Sequence, residues 1–172
     1  MENLRKIELP HIPVNRIPDA LLVKLLPRVI AWAEVQERQI LERGVELSAR
    51  EIQVARAAGV RQPERVRLLR VADIPLPEEK DLQQVARGFG FISQLTDGLT
   101  LGYGVFVRQI RSKDPTLVAH ELMHVAQYEH HGSIAAFLLQ YLSDLNKYGY
   151  DAAPLEREAV AFEKSKLWER RR

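Results

Sequence analysis

Five consecutive residues, His-Glu-Leu-Met-His at 120–124, carry the residue types of metal-assisted hydrolysis in a chain of 172 residues with five histidines and no cysteine. Residues four apart in an α-helix differ by only about 40° around its axis, so His120 and His124 project from one face and can converge on one ion. Glu121 stands beside them, where a carboxylate can take a proton from a water activated by that ion without itself being a ligand. The flanks, Leu117-Val118-Ala119 and Val125-Ala126, are apolar, as suits a helix in the centre of a domain. Without cysteine there is no thiolate ligand, thiol nucleophile or disulfide framework, so His, Asp or Glu must complete the site.

Two histidines do not hold zinc alone, and two places offer a third ligand. His130 follows at the spacing of a site closed by a third histidine after a tight turn, but Gln127 stands where that turn needs glycine. In a continuing helix His130 lies about 240° around from His124 and reads, with His131, as a solvated pair at the helix end. The other place is PLEREA at 154–159, where Glu156 and Glu158 enter a helix behind a proline. Glu156 sits in the first turn, where the helix dipole favours an ionised carboxylate, and Ala159 and Val160 let that face pack closely on another helix. Glu158 is flanked one turn on by the bulkier Phe162. Tyr148 or Tyr150 in KYGYD can supply a donor to an oxyanion, and Tyr150 joins Glu121 in the catalytic set. Because the imidazoles must be neutral to bind, metal affinity is expected to fall below about pH 6.

Local signals describe the elements that must position these residues. Pro10, Pro13 and Pro18 mark an extended arm ending where Asp19 can cap a helix from Ala20 to about Arg43, bent at Pro27 and stopped by Gly44. Ser48 with Glu51 forms a capping-box pattern opening a second helix that ends at Gly59. Residues 65–71, RVRLLRV, predict a strand, and a short helix follows from about Glu78 to Arg87. The stretch FGFISQLTDGLTLGYGVFVRQI predicts a hairpin turning at Asp97-Gly98. Asp114-Pro115 and Gly132 bracket a helix of about seventeen residues around HELMH; a further helix spans Ser133 to Gly149, and a last one starts near Pro154. The expected class is α+β: a small mixed or antiparallel sheet, then a three-helix C-terminal part, with residues 1–47 as an extended and helical arm forming one compact unit with 48–172.

Composition narrows the function classes. A hydrophobic fraction of 46% is ample for a core, and the formal charge of +2 arises from 25 basic and 23 acidic residues that are mostly interspersed. Only the tail KSKLWERRR is locally basic; it reads as a solvated last helical turn, and no nucleic-acid partner is expected. The N-terminus lacks an apolar core after its charges, and ALLVKLLPRVIAWA is broken by Lys24, Pro27 and Arg28, so neither a signal peptide nor a membrane span is expected and the location is expected to be cytoplasmic.

Taken in order, LVAHELMHVAQYEHHG, FLLQYL and GYDAAPLEREA, preceded by Thr100-Leu101-Gly102, resemble the gluzincin type of zinc metallopeptidase, and most closely its small bacterial metallopeptidase-like domains. The resemblance covers about residues 60 to 165 and implies a zincin-like fold, Zn²⁺ held by His120, His124 and Glu156, Glu121 as general base, and a peptide or protein substrate. Val160 stands where the E-x-x-A-D form of the family has Asp, and Ala153 where the small domains often have Asn. These departures weaken the hydrogen bonding behind the ligands and the cap of the last helix. Two rival functions fit the same residues: a zinc-stabilised interaction module or degenerate peptidase, and a metal-dependent ribonuclease using His120, His124 and His130.

Overall fold

The computed structural model describes residues 17–88 and 96–165. The arm before residue 17, the 89–95 part of the hairpin stretch and the tail from residue 166 lie outside them. Among the described residues the class is α+β, with six α-helices and a four-stranded mixed sheet.

Helix α1 (Asp19–Arg43) carries Pro27 in its interior and stops at Gly44, followed by strand β1 (Val45–Glu46). Asp19 is its first residue and not its cap: Pro18 stands at the cap position without a side-chain cap bond, and the buried Asn146 donates to Asp19 and grips Ile17. The Asn146 side chain accepts from Ile17 N (2.9 Å) and donates to Ile17 O (3.0 Å). Helix α2 (Ala49–Ala58) opens on the expected capping box, with both Ser48–Glu51 hydrogen bonds present, and ends at Gly59 in the left-handed region. Strand β2 (Arg67–Val71) and helix α3 (Lys80–Gly88) lie close to their predicted positions.

The hairpin forms, but its turn is elsewhere. Strands β3 (Gly98–Leu101) and β4 (Gly104–Arg108) pair antiparallel with Leu101 opposite Gly104, so the two-residue turn is Gly102-Tyr103. Gly102 takes the positive φ (61°) such a turn needs, and Glu37 of α1 accepts the Tyr103 amide at 2.9 Å. Asp97-Gly98 makes a good turn locally, yet turning there would expose Leu99 and Leu101, which are 5% and 0% exposed. Asp97 instead extends the ladder, its carbonyl accepting Arg108 N at 2.7 Å.

The strand order is β1-β2-β4-β3, with β2 and β4 parallel and the outer pairs antiparallel. Both faces of the sheet are covered, which explains why RVRLLRV shows little alternation and why β4 is apolar from Val105 to Val107. Leu99, Leu101 and Phe106 pack with Ala33 and Ile40 of α1 and with apolar residues of helix α5 (Ile134–Tyr148). Leu68, Val105 and Val107 pack on the other face with α2 and with helix α4 (Pro115–His131). The period of two along β3 then decides a point of chemistry: with Leu99 and Leu101 toward α1 and α5, Gly98 and Thr100 face α4.

Gly104 is required by packing. A Cβ there would lie 2.9 Å from the Ile40 Cβ and Cδ1 atoms. Gly104→Ala is therefore expected to cost about 1–3 kcal/mol by forcing α1 off the sheet, measured by denaturant unfolding; an unchanged midpoint would show that α1 is not held at this distance.

Candidate metal centre

Helix α4 begins where expected, with Asp114 accepting the Thr116 amide at 2.9 Å and Pro115 at the first position, and ends at Gly132 in the left-handed region. It lies between α2, strand β3 and helix α6 (Pro154–Ser165), so His124 and Glu121 are buried at 7% and 5% exposure. On α6, Glu156, Ala159 and Phe162 are buried at a spacing of three and form the face turned inward. That rotation brings Glu156 to the two histidines and leaves Glu158 at the surface.

The three groups converge at ligand spacing. His120 Nε2 is 3.1 Å from His124 Nε2, His120 Nε2 is 3.5 Å from Glu156 Oε2, and His124 Nε2 is 3.4 Å from Glu156 Oε1. A tetrahedral ion with bonds of about 2.0–2.1 Å has ligand-to-ligand edges of about 3.3 Å, so these separations fit one ion. His120, His124 and Glu156 form the one such group of potential metal ligands among the described residues.

The outer hydrogen bonds decide what lies between them. His120 Nδ1 is 3.1 Å from Glu163 Oε2, and an ionised carboxylate only accepts, so this nitrogen carries the proton. His124 Nδ1 is 2.8 Å from Gln127 Oε1. The Gln127 amide cannot be flipped, because its Nε2 donates to two acceptors, the Leu155 carbonyl (3.0 Å) and Glu158 Oε2 (2.8 Å). In both neutral rings the Nε2 lone pair therefore points inward, toward the other lone pair and the Glu156 carboxylate. Tyr141 on α5 donates to Glu156 Oε1, whereas Oε2 is buried with no hydrogen-bond partner. Two lone pairs and an orphaned carboxylate oxygen repel one another unless a cation or a proton joins them, and this donor set fits a metal ion.

In the metal-free protein the proton takes that place. Burial pushes the His124 pKa down, but the hydrogen bond and charge of Glu156 outweigh it and raise the pKa to about 9; His120 is raised in the same way. Glu156 is held well below the usual carboxylate range, burial being outweighed by the two facing histidines once they are protonated and by the Tyr141 hydroxyl. The His124 contribution to metal-free stability is thus complete below its unfolded value of about 6.5 and is lost as pH rises through about 9. A metal entering at pH 7 must displace this proton. Calorimetric titration with zinc in buffers of different ionisation enthalpy is expected to show net proton release on binding at pH 7, with apparent affinity rising up to about pH 9. The limit of about pH 6 expected from free imidazoles moves upward because of Glu156, and affinity that is flat from about pH 6 to 9 would contradict this.

Glu121 is placed by β3. Thr100 Oγ1 lies 2.6 Å from Glu121 Oε2, and a Cβ on Gly98 would sit 2.4 Å from Oε1. Gly98→Ala is expected to displace the carboxylate and cut any activity that depends on it by more than about tenfold, with little loss of fold because the clash is with a movable side-chain end. Tyr150, in a short turn before α6, shares a narrow pocket of about 40 Å³ with His120, Glu121, His124 and Glu156. This opens beside a cleft of about 320 Å³ whose wall includes Asp97, Arg111 and Glu163. Tyr148 instead lies under the Lys147 ammonium at 4.9 Å. Because α4 continues to His131, His130 is exposed and stands apart from the group, so the three-histidine arrangement does not form.

Comparison of the chain with protein-family models, curated proteins and solved structures returns no match. Geometry alone therefore carries the reading of the site. Four of its residues do not stand out as site residues in the sequence analysis: Tyr141, Gln127 and Glu163, and Thr100, noted only as part of a strand motif. Glu163 also corrects an expectation, since it supplies a carboxylate behind the ligands although Val160 does not. Its signal was available, seven residues after Glu156 and so on the same helical face.

Proposed function

We propose that the chain is a zinc-dependent hydrolase of peptide bonds, with the ion held by His120, His124 and Glu156. The observation that carries this reading is the inward convergence of two imidazole lone pairs and an unpartnered carboxylate oxygen, with a second buried carboxylate, Glu121, alongside. Bound there, zinc supplies Lewis acidity, polarising a carbonyl oxygen and lowering the pKa of a water molecule. The rest falls to the chain. Glu121 has Oε2 engaged by Thr100, which leaves Oε1, beside Gly98, to accept the proton of the attacking water and pass it to the departing amine. Tyr150 remains a phenol, its ionisation opposed by burial and by the charges of Glu156 and Glu121, and so can donate to the developing oxyanion. Among the described residues strand β3 is an edge of the sheet, and its outer backbone groups can pair with an extended substrate beside Glu121. No helix among the described residues is long and apolar enough to cross a membrane.

The test is digestion of a mixed peptide library by the zinc-loaded full chain, read by mass spectrometry. Cleavage abolished by a chelator and restored by zinc supports the reading. Stoichiometric zinc with the library left intact favours the zinc-stabilised interaction module instead.

A further inference from the structure

Gln127 is a glutamine in the middle of α4 that is only 5% exposed, and every polar hydrogen and oxygen it offers is used. Its oxygen accepts a hydrogen bond from His124 Nδ1. Its nitrogen binds Leu155 O, the carbonyl immediately before Glu156, and Glu158 Oε2. One amide thus joins the second histidine to the turn that presents the third ligand. Glu163 meets His120 from the same helix, two turns further on. The residue that prevents a three-histidine turn is therefore built into the site, from behind.

We propose that Gln127 and Glu163 are the positioning residues of this centre. Glu163 holds His120, and Gln127 holds His124, each as the tautomer with Nε2 turned inward; Gln127 also fastens His124 to the α6 turn bearing Glu156. This rests on the metal-centre reading above. The physical reason is pre-organisation: an imidazole free to rotate or to move its proton to Nε2 must be reordered before it can bind, and each reordering lowers affinity. A tie that served only to pack α4 on α6 would affect melting without affecting the ion.

The experiment measures zinc affinity of the full chain by competition with a chromophoric chelator, and the visible spectrum after loading with cobalt(II). Glu163→Ala is expected to lower zinc affinity about 10–100-fold, and Glu163→Gln, which keeps an acceptor but not the charge, to lose less. Gln127→Glu keeps the acceptor for His124 but turns a carboxylate on Leu155 O and Glu158; a loss of about 10–100-fold and an altered cobalt spectrum are expected. Adding Glu158→Gln returns a donor to that pair and should recover part of the loss, although Glu158→Gln alone changes affinity little. Affinities of Glu163→Ala and Gln127→Glu within about twofold of the parent would overturn the proposal while leaving the metal centre intact. If Gln127→Glu does not fold, Glu163→Ala, whose native side chain is 29% exposed, decides alone. A parent chain that binds neither zinc nor cobalt would overturn the metal centre and this inference together.

Discussion

Glu121→Gln is expected to leave zinc content unchanged and to reduce peptide cleavage by about a hundredfold or more. Glutamine keeps the volume of the side chain and can still accept from Thr100, which is 2.6 Å away in the parent, so the local packing persists. What it loses is the capacity to accept a proton at the oxygen facing Gly98. The carboxylate is not one of the three converging ligand groups, so metal affinity should be close to that of the parent. Melting temperature should change little, since one hydrogen-bonded buried group replaces another. The readout is cleavage of the same peptide library together with metal analysis. A variant that cleaves as fast as the parent would remove Glu121 from the mechanism, and one that loses its zinc would make Glu121 a ligand.

The second large effect belongs to Glu156. Glu156→Ala should weaken zinc binding by more than the roughly 10–100-fold attached to residues that only orient ligands, because it removes one of three donors and the only negative charge among them. Glu158→Gln and His130→Ala, at exposed positions outside the group, are expected to stay near the parent value. The same substitution changes the metal-free protein. Without Glu156 the main opposition to the burial of His124 is lost, leaving only Glu121 and Gln127, and its pKa should fall from about 9. Proton release on binding any residual zinc at pH 7 should then be smaller than in the parent. Zinc retained at parent affinity by Glu156→Ala, or released by His130→Ala, would transfer the third position elsewhere and revive the three-histidine arrangement.

Local signals were read well where the physics is local. The Ser48–Glu51 capping box, the Asp114-Pro115 start and the Gly132 stop each satisfy backbone groups within one turn, and the structure has all three. Local signals failed where two were in competition. Asp97-Gly98 and Gly102-Tyr103 both suit a tight turn, and the choice between them came from the burial of Leu99 and Leu101 against α1 and α5, residues far away in the chain. Asp19, expected as a cap, instead opens the helix and accepts a hydrogen bond from Asn146, 127 residues on.

The candidate site divides along the same line. By itself the sequence determined that His120 and His124 share a helix face with Glu121 beside them, because the 3.6-residue period is a property of the backbone and needs no partner. It also narrowed the third acid to a first-turn position on the last helix. Only the tertiary structure decided that Glu156 meets the histidines and Glu158 meets Gln127, since that depends on the rotation of α6 against α4, set by burying Ala159 and Phe162. It alone brought Thr100 to Glu121, Tyr141 to Glu156 and Glu163 to His120. Such pairs join residues 15 to 43 positions apart, and their side chains are within reach of one another only once sheet and helices have packed.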